Sequence, residues 1–315
     1  MQHGQVTPIT LPAEMHQAQF PFLMHAGAVP GGRLAYVDTG TPVDGNEALP
    51  VVLLHGSPVW SYFFRRGIES ISRSRRVIAI DLPGFGYSRV EASRFRAFST
   101  GALQVETLIR SLNLGRFCLV VHATAGPIGL SAATSLRKQV CGVIASNSFA
   151  WPLLGIPGRL GLIARVVSSR LFGVLGVYSG LLGWITARFS RRTGRYTARE
   201  REAIAAPLRR WSSRRAFAEV LRSLRTEHAF LARLESSLQT WLPKIPVLLL
   251  YGAHDNGYRA GFAERWSQMC PNSRLIVLEE SGHFPLEDEP SEWIRATEEF
   301  LANDVARFVE RIRAA

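Results

Sequence analysis

Hydrophobic positions follow two different patterns along the chain. From residue 33 to 148, and again from 241 to the end, short apolar runs alternate with longer mixed segments. The central runs VVLLH, CLVVH and VLLLYG contain almost no polar residue, which is typical of parallel strands that are buried on both faces of a sheet. Because helix-length stretches separate these runs, the pattern predicts repeated strand–helix–strand units.

These runs also give the expected positions of the elements. Strands are predicted at residues 33–38, 51–55, 77–81, 117–122, 140–146, 247–252 and 275–279. Helices are predicted at residues 99–112 and 127–137. The order predicts an α/β fold with a mostly parallel sheet between layers of helices.

Residues 151–240 break this rhythm and contain only helix-like patterns. The run at 171–187 is uncharged for 17 residues, the lower limit for a membrane span, but glycines interrupt it, so we expect a buried or interfacial helix pair there. Thr197 and Glu200 have the spacing of a capping box. The chain therefore divides into a first core part (1–150), an all-helical insert (151–240) and a second core part (241–315).

The composition is that of an ordinary globular protein. The 315 residues are 47% hydrophobic and 20% charged, which excludes a disordered, collagen-like or coiled-coil chain. Three cysteines, Cys118, Cys141 and Cys270, are too few and too widely spaced for a disulfide framework or a zinc cluster. The N-terminal residues have neither a basic opening nor an apolar run, so no secretory signal is recognised and a cytoplasmic location is expected.

The positive charge is concentrated in the insert. The chain carries a net charge of +12, and 35 of its 37 basic residues are arginine, a bias that a genome rich in G and C would also produce. Residues 151–240 hold sixteen arginines and five glutamates, so nearly all of the net charge lies there. Such a region can contact an anionic membrane surface or an acidic substrate. No nucleic-acid-binding motif accompanies it, so nucleic acid is not an expected partner.

Three glycine-containing motifs follow predicted strands, where doubly wound sheets place their sites. HGSP at 55–58 permits a sharp turn, and the backbone N–H of Ser57 can serve as an oxyanion donor. DLPGFGYS at 81–88 lacks the spacing of a dinucleotide-binding loop and predicts a shaped turn. In LVVHATAGPIG at 119–129 a strand runs into a helix through small residues, as in a nucleophile elbow.

A fourth motif pairs an acid with a histidine. Asp255 follows the strand VLLLYG, and His283 lies in SGHFP after the next strand. Side chains just past neighbouring strands can meet in space. A carboxylate beside an imidazole orients the ring and stabilises its charged form, so we expect Asp255 and His283 to act together.

Taken together, these motifs resemble the α/β-hydrolases of the haloalkane dehalogenase and epoxide hydrolase branch over roughly residues 30–305. That branch typically shows HG-x-P, D-x-x-G-x-G-x-S, V-H-D-W-G-G-P, a helical cap, G-x-x-D and G-H-F/W-P. This chain has HGSP, DLPGFGYS, VHATAGP, GAHD and SGHFP. The β-lactone decarboxylases of bacterial olefin biosynthesis are similar too. The resemblance implies an α/β-hydrolase core with an eight-stranded, mostly parallel sheet and an all-helical cap.

The chain departs from this family at the elbow. Where the family has its nucleophilic aspartate, this chain has Ala123, which has no atom that can form the covalent intermediate. His122 and the following GPIG place the apex at 123, so Thr124 is the next residue, and its N–H joins that of Ser57 in the implied oxyanion hole. Either an aspartate was replaced to inactivate the protein, which we favour because the acid–histidine pair is retained, or the alanine is natural.

Other positions bear on the substrate. Dehalogenases hold the leaving halide with a tryptophan and an asparagine. This chain has Thr124 in place of the tryptophan and Ser57 in place of the asparagine, which counts against dehalogenation. The insert offers Tyr178 and Tyr196 to protonate an epoxide oxygen, and Trp60 and Trp151 are expected to flank the pocket. Asn147 occupies a position where some dehalogenases have a catalytic acid, which an amide cannot be. Lipophilic cap helices predict a hydrophobic small-molecule substrate.

The sequence therefore predicts a hydrolase that acts through a covalent intermediate once residue 123 is aspartate. Epoxide opening ranks first, ester or lactone hydrolysis second and dehalogenation third. A lyase, isomerase or cyclase that uses His283 and Asp255 as a general base without a nucleophile remains an alternative, as does a non-catalytic binding protein. No metal or organic cofactor is implied, since all the expected catalytic groups are side chains and backbone amides.

Overall fold

A β-sheet of ten strands forms the centre of the molecule. The computed structural model describes residues 7–11, 20–42, 48–91, 97–156, 158–181, 184, 186, 191–194 and 196–314, without the side chains of 176 and 178. The strands are β1 (Thr7–Ile9), β2 (Met24–Val29), β3 (Gly32–Asp38), β4 (Val51–Leu54), β5 (Val77–Ile80), β6 (Arg89–Val90), β7 (Phe117–His122), β8 (Val140–Ser146), β9 (Val247–Gly252) and β10 (Arg274–Leu278).

The sheet is parallel in its larger part and antiparallel at one edge. Its order is β1-β2-β3-β5-β4-β7-β8-β9-β10, with the short β6 paired to β3. All neighbours from β5 to β10 are parallel, whereas β1, β2 and β3 pair antiparallel. Apart from β1 and β6, which have three and two residues, the sheet has the eight strands that the resemblance implied.

Uniformly apolar sequence explains why the central strands lie inside. Every residue of β4, β5, β7, β8 and β9 is buried. Successive side chains of a strand point to opposite faces, so Val52 and Leu54 join one hydrophobic cluster while Val51 and Leu53 join the other. The sheet therefore stands between two cores and holds the loops at its ends rigidly.

The predicted strands are all present, with ends within one residue of those expected. Three strands were not predicted. β1 and β6 are too short to show a period, and the sequence MHAGAV of β2 is interrupted by glycine and histidine. These three strands pair with a neighbouring strand whose position the local pattern does not reveal.

Helices cover both faces of the sheet and build the insert. The α-helices are α1 (Arg65–Ile71), α2 (Ser99–Ser111), α3 (Ala125–Ser135), α4 (Arg159–Val167), α5 (Arg170–Phe172), α6 (Ala198–Ala205), α7 (Trp211–Thr226), α8 (His228–Trp241), α9 (Asn256–Arg259), α10 (Phe262–Met269), α11 (Pro285–Asp288), α12 (Pro290–Glu299) and α13 (Ala306–Ala314). Short 3-10 helices occupy Ser61–Phe64, Ala206–Arg209 and Leu242–Lys244, and π-helical turns occupy Gly173–Tyr178 and Phe300–Val305.

Helices α4 to α7 form a cap that is tied to the core by buried polar contacts. The indole N–H of Trp60 donates to the carbonyl of Ala203 at 2.9 Å. The predicted capping box is confirmed at the start of α6, where the Thr197 hydroxyl accepts from the N–H of Glu200 and the Glu200 carboxylate accepts from the N–H of Thr197. The cap is therefore attached through a helix with a well-defined start.

Helix α8 packs on the core instead of continuing the cap. It lies against α3, and the indole N–H of Trp241 donates to the hydroxyl of Thr134 at 3.3 Å. Its buried leucines Leu231, Leu234 and Leu238 join the larger hydrophobic cluster. The boundary expected at residue 240 thus falls inside a helix of the core layer.

Several described side chains of the uncharged run at 171–187 lie at the surface of the cap, whereas Val177 is buried. Leu171, Leu175 and Trp184 are each more than half exposed, so the expectation of a buried helix pair is wrong for these side chains, and the interfacial alternative remains a prediction. Within the described ranges, no helix is long and apolar enough to cross a membrane.

Candidate active site

A cavity of about 650 Å³ opens at the C-terminal edge of the parallel strands. The loops after β4, β7, β8, β9 and β10 all reach it, because the C-terminal ends of parallel strands lie at the same edge of a sheet. Six residues singled out in the sequence line it together, namely Ser57, Ala123, Thr124, Asn147, Asp255 and His283. Its apolar lining comes from Phe149, Leu153, Leu160, Phe262 and Phe284.

Ala123 lies at the sharp turn between β7 and α3. Its φ is +48°, a left-handed conformation that costs an L-residue other than glycine about 1–2 kcal/mol. The Ala123 carbonyl accepts a hydrogen bond from the hydroxyl of Ser148 at 2.8 Å. Gly126 allows the helix to pack close, since a Cβ there would lie 2.1 Å from the Phe149 carbonyl oxygen. The turn therefore keeps the strained shape of an elbow although its apex carries only a methyl group.

His283 and Asp255 form a hydrogen-bonded pair at the same cavity. The Nδ1 of His283 lies 2.7 Å from an Asp255 carboxylate oxygen. The other oxygen accepts the N–H groups of Gly257 and Tyr258 at 2.8 and 3.1 Å, at the start of α9. The carboxylate is buried, whereas the imidazole is 44% exposed. Because Asp255 holds Nδ1, Nε2 of His283 is the ring nitrogen left to exchange a proton with a ligand or water.

Asn147 joins the two loops that carry this pair. Its side-chain amide donates to the carbonyl of Gly282 at 2.8 Å, and its amide oxygen accepts the N–H of Gly252 at 3.0 Å. Gly252 ends β9 before Asp255, and Gly282 immediately precedes His283. The sequence identified Asn147 only as a residue unable to act as an acid; the structure places it as a positioning residue for both members of the pair.

The expected oxyanion hole needs a correction. The N–H of Ser57 does not point freely into the cavity, because it donates to the Thr124 hydroxyl at 2.8 Å. The hydroxyls of the same two residues lie 3.0 Å apart and also form a hydrogen bond. A substrate oxygen must therefore displace the Thr124 hydroxyl to reach the Ser57 N–H. Sequence could not show this, since it depends on the Thr124 rotamer.

His122, the residue before the elbow, is buried directly beneath the site. Its Nδ1 lies 3.0 Å from the carbonyl oxygen of Ser146 and carries the proton of that bond. Its ring stacks on Phe63 and is centred 5.2 Å from that of His283. Burial, aided by His283, holds the pKa of His122 well below 6.5. His122 is therefore neutral near pH 7 and adds no positive charge beside His283.

Three of the four aromatic residues expected at the pocket lie elsewhere. Trp60 and Tyr196 do not line this cavity; both are buried in the hydrophobic cluster that also contains Val51 and Leu53, where their large rings are removed from water. Trp151 is buried against Phe262 and Trp266 and faces a separate cavity of about 480 Å³. The expectation that these three side chains line the substrate pocket is therefore corrected. The side chain of Tyr178 lies outside the described part of the structure.

The sequence did not single out two polar residues that line the cavity, Arg192 and His254. The guanidinium of Arg192 lies 3.0 Å from Nε2 of His254. The backbone N–H of Arg192 donates to Asp288 at 2.6 Å, and the other oxygen of Asp288 accepts the N–H of Gly282. His254 could have been noticed as the neighbour of the candidate acid, but no local signal brings a cap arginine to this edge.

The family of the chain follows from the comparison with known proteins. Residues 51–297 match the alpha/beta hydrolase family, and the chain belongs to it. Haloalkane dehalogenase 2 of Mycobacterium tuberculosis is 27% identical over 262 residues, covering 82% of this chain and 88% of the relative. The cis-3-alkyl-4-alkyloxetan-2-one decarboxylase of Shewanella oneidensis is 25% identical over 293 residues, covering 89% of both proteins.

Solved structures agree on the fold. A haloalkane dehalogenase variant from Bradyrhizobium elkanii superposes with a TM-score of 0.76 at 21% identity, covering 91% of this chain and 99% of that one. The epoxide hydrolase CorEH superposes with a TM-score of 0.70 at 20% identity, covering 89% and 98%. The chain therefore has the fold of the alpha/beta hydrolase family to which it belongs. Among the described residues, no group of three or more His, Cys, Asp or Glu side chains is placed to hold a metal ion.

Proposed function

We propose that this protein is a hydrolase scaffold for a lipophilic small molecule, arranged for a covalent intermediate on residue 123. One observation carries the proposal: His283 is paired with Asp255 at 2.7 Å in the same cavity as the strained elbow residue Ala123. A strained residue persists only where its surroundings hold it, and such residues concentrate at functional sites. The surrounding apolar side chains suit a lipophilic ligand.

With aspartate at position 123, the residues have defined roles. The carboxylate attacks an electrophilic carbon of the substrate and forms an ester, while the leaving group accepts a proton or departs as an anion. His283 then takes a proton from water through Nε2, and Asp255 stabilises the imidazolium. The hydroxide formed attacks the ester carbonyl, whose oxygen is held by the N–H of Thr124 and, once the threonine hydroxyl moves, by that of Ser57. The tetrahedral intermediate then breaks its bond to the substrate oxygen, which takes the proton from His283 and leaves as an alcohol, and the aspartate carboxylate is regenerated.

The polar groups of the cavity favour a leaving group that is an oxygen. The hydroxyls of Ser57 and Thr124 stand near the elbow, and an alkoxide is a stronger hydrogen-bond acceptor than a halide. We therefore place epoxide opening first, ester or lactone hydrolysis second and dehalogenation third. The named relatives, a haloalkane dehalogenase and an oxetan-2-one decarboxylase, make the lactone and haloalkane classes necessary members of any substrate panel.

A second candidate applies to the chain with Ala123 as it stands. The methyl group cannot attack, and the Ser57 N–H is already bonded to Thr124, yet the imidazole of His283 remains oriented and open to the cavity. Such a pair can act as a general base for elimination, isomerisation or cyclisation without a covalent intermediate. This alternative needs His283 but gains nothing from an acid at 123.

The test is turnover by Ala123→Asp beside the parent chain on epoxides, esters, β-lactones and haloalkanes. We expect the aspartate variant to turn over at least one class at least about a hundredfold faster than the parent, since a positioned nucleophile and base each contribute on that scale. Ala123→Asp combined with His283→Gln should accumulate the ester, seen as an adduct by intact mass. Ala123→Asn, which has similar volume and no nucleophile, is the matched control.

The outcomes separate the candidates. Turnover confined to Ala123→Asp, with the adduct, supports covalent hydrolysis. Activity that the parent already has, that Ala123→Asp does not raise and that His283→Gln abolishes supports the general-base candidate. If folded variants are inert in every assay and bind ligand equally well, both proposals are wrong and the protein acts by binding alone.

A further inference from the structure

The cap exposes a large group of apolar side chains. We call it the apolar cap face, and it consists of Leu162, Ile163, Val166, Leu171, Val174, Leu175, Leu181, Trp184 and Trp211. Their exposed fractions lie between 45% and 67%. Only three other large apolar side chains in the described residues are comparably exposed, Leu23, Leu103 and Leu275. All three belong to the parts of the chain outside the cap. An apolar grouping of this kind marks an interaction surface.

The elements that carry this face pack on one another. Helix α4 lies against α7, and the π-helical turn Gly173–Tyr178 lies against the same helix. Helix α4 buries Gly161 and Ala164 on its inner side and exposes Leu162, Ile163 and Val166 on its outer side. The outer side of this helix therefore carries large apolar side chains, whereas the outer side of a packed helix in water is usually polar.

Arginines without acidic partners accompany the apolar cap face. Residues 158–199 contain eight arginines and no aspartate, glutamate or lysine. Arg159, Arg165 and Arg170 are exposed, and within the described chain none of these three pairs with a carboxylate. Mixed apolar and cationic side chains, with tryptophans among them, are typical of helices that lie in a membrane interface.

We propose that the apolar cap face docks on the surface of an anionic lipid bilayer. Leucine, isoleucine and tryptophan side chains enter the boundary between headgroups and acyl chains, and the arginines bind the anionic headgroups. The long arginine side chains can keep their guanidinium groups at headgroup level while their methylene carbons lie deeper. The face needs no spanning helix for this, because it rests in the interface.

Charge decides between a bilayer and a second copy of the chain. In a two-fold dimer the same surface would meet itself, so the arginines of both copies would share one interface to which residues 158–199 contribute no acidic residue. An anionic bilayer provides both the apolar layer and the opposite charge. The face is therefore complementary to anionic lipid and not to itself.

The same helix also borders the candidate active site. Leu160 of α4 lines the cavity, while its neighbours Leu162 and Ile163 lie in the apolar cap face. A lipophilic molecule dissolved in the bilayer would therefore meet the cavity beside α4. This last point rests on the proposed function, whereas docking rests on the surface alone and is measured without turnover.

The experiment is co-sedimentation of the full chain with phosphatidylcholine vesicles, with and without phosphatidylglycerol. We expect binding to the vesicles that contain phosphatidylglycerol, weakened by salt because the headgroup contacts are screened. The double variant Leu171→Asn, Leu175→Asn should bind at least about tenfold less tightly to these vesicles, because two exposed apolar side chains no longer enter the interface. Arg165→Gln with Arg170→Gln should lose most of the preference for anionic vesicles, by about tenfold or more.

Matched controls change the same residue types elsewhere. Leu23→Asn with Leu103→Asn removes two exposed leucines of the core, and Arg137→Gln with Arg313→Gln removes two exposed charges. Both pairs should leave vesicle binding within about twofold of the parent, since the substituted surfaces lie outside the cap. Circular dichroism on every variant verifies that it is folded.

Two results would overturn the proposal. One is the absence of binding to vesicles that contain phosphatidylglycerol, or binding that the control pairs weaken as much as the cap pairs do. The other is a dimer in sedimentation velocity that Leu171→Asn with Leu175→Asn dissociates, because the face would then cover a second copy. Neither result depends on whether Ala123→Asp is active.

Discussion

His55 illustrates how one buried residue joins two of the sequence motifs. Its Nε2 accepts the N–H of Leu82 at 2.8 Å, so the proton lies on Nδ1, which donates to the carbonyl of Gly56 at 2.8 Å. The first bond ties HGSP to DLPGFGYS and the second shapes the turn before Ser57. The histidine of HGSP is therefore structural, and its neutral form is the one that makes both bonds.

Acid should destabilise the protein through this residue. Burial lowers the pKa of His55 to about 4 from the usual 6.5. As the pH falls below 6.5, His55 becomes protonated in the unfolded chain, but in the folded chain it stays neutral until about pH 4. The free energy of unfolding therefore falls by about 3 kcal/mol between these two pH values. Denaturant unfolding at pH 7.5 and 5.0 should show about 2 kcal/mol of this loss, because pH 5.0 still lies above the folded pKa of about 4. His55→Gln, whose amide can make both bonds, should remove much of it.

Two other buried groups, His122 and Asp81, also make the free energy of unfolding depend on pH. His122 acts in the same direction as His55, because burial also holds its pKa low. Asp81 acts in the opposite direction: burial raises its pKa to about 6, so the folded chain takes up a proton before the unfolded one and gains stability as the pH falls through 6. A His55→Gln variant with the same pH dependence as the parent would contradict the assignment.

At the scale of elements, helix α2 depends on a carboxylate from outside itself. No side chain of its own caps its first turn. The two oxygens of Glu227, between α7 and α8, accept the N–H groups of Phe98 and Ser99 at 3.0 and 2.9 Å. A negative charge at a helix start is favourable because it satisfies free N–H groups and opposes the helix dipole. Glu227 thus joins the junction of cap and core to a core helix.

Removing the Glu227 carboxylate should lower the free energy of unfolding more than removing a carboxylate at the surface. We expect Glu227→Ala to lower the free energy of unfolding by about 1–3 kcal/mol, because two backbone N–H groups lose a charged acceptor in a buried place. Glu219→Ala, which breaks only the surface pair with Arg222, should cost less than about 1 kcal/mol. Urea unfolding of both variants provides the comparison, and equal losses would show that Glu227 is no more than a surface charge.

At the scale of the whole molecule, Arg65 connects three parts of the chain. This buried arginine of α1 binds both oxygens of Glu287 in α11, and Glu200 of the cap at 2.9 Å. Arg65 and Glu287 are each 2% exposed in their side chains. The first core part, the cap and the second core part therefore share one charged centre.

Breaking this centre should affect the whole fold. Arg65→Met leaves the buried Glu287 without its cation, and we expect a loss of about 3–5 kcal/mol. Adding Glu287→Leu should recover part of the loss, since no unpaired charge then remains at that position. Arg295→Met, which removes only exposed ion pairs, should lower the free energy of unfolding far less, because solvent screens those pairs. Thermal and urea unfolding measure all three, and a milder effect for Arg65→Met than for Arg295→Met would refute the argument.

Much of the fold and of the site could be predicted because the signals were local. The central strands are read from runs of apolar residues, the elbow from VHATAGP, and the acid and histidine from their place after two strands. The structure brings Asp255 and His283 within 2.7 Å, since parallel neighbours end at the same edge. These features need no knowledge of distant residues.

The remaining features were decided by contacts between distant segments. Whether the side chains of Trp60 and Tyr196 line the cavity or are buried in the hydrophobic core depends on how the cap packs against the rest of the molecule. The bond from Ser57 to Thr124 depends on a rotamer, and the bridge made by Asn147 depends on two loops meeting. The sequence alone determined which residues stand at the ends of the strands, because each apolar run shows where a strand begins and ends along the chain. Only the tertiary structure decided which polar groups there already have partners, because a hydrogen bond depends on distances and angles that no local pattern contains.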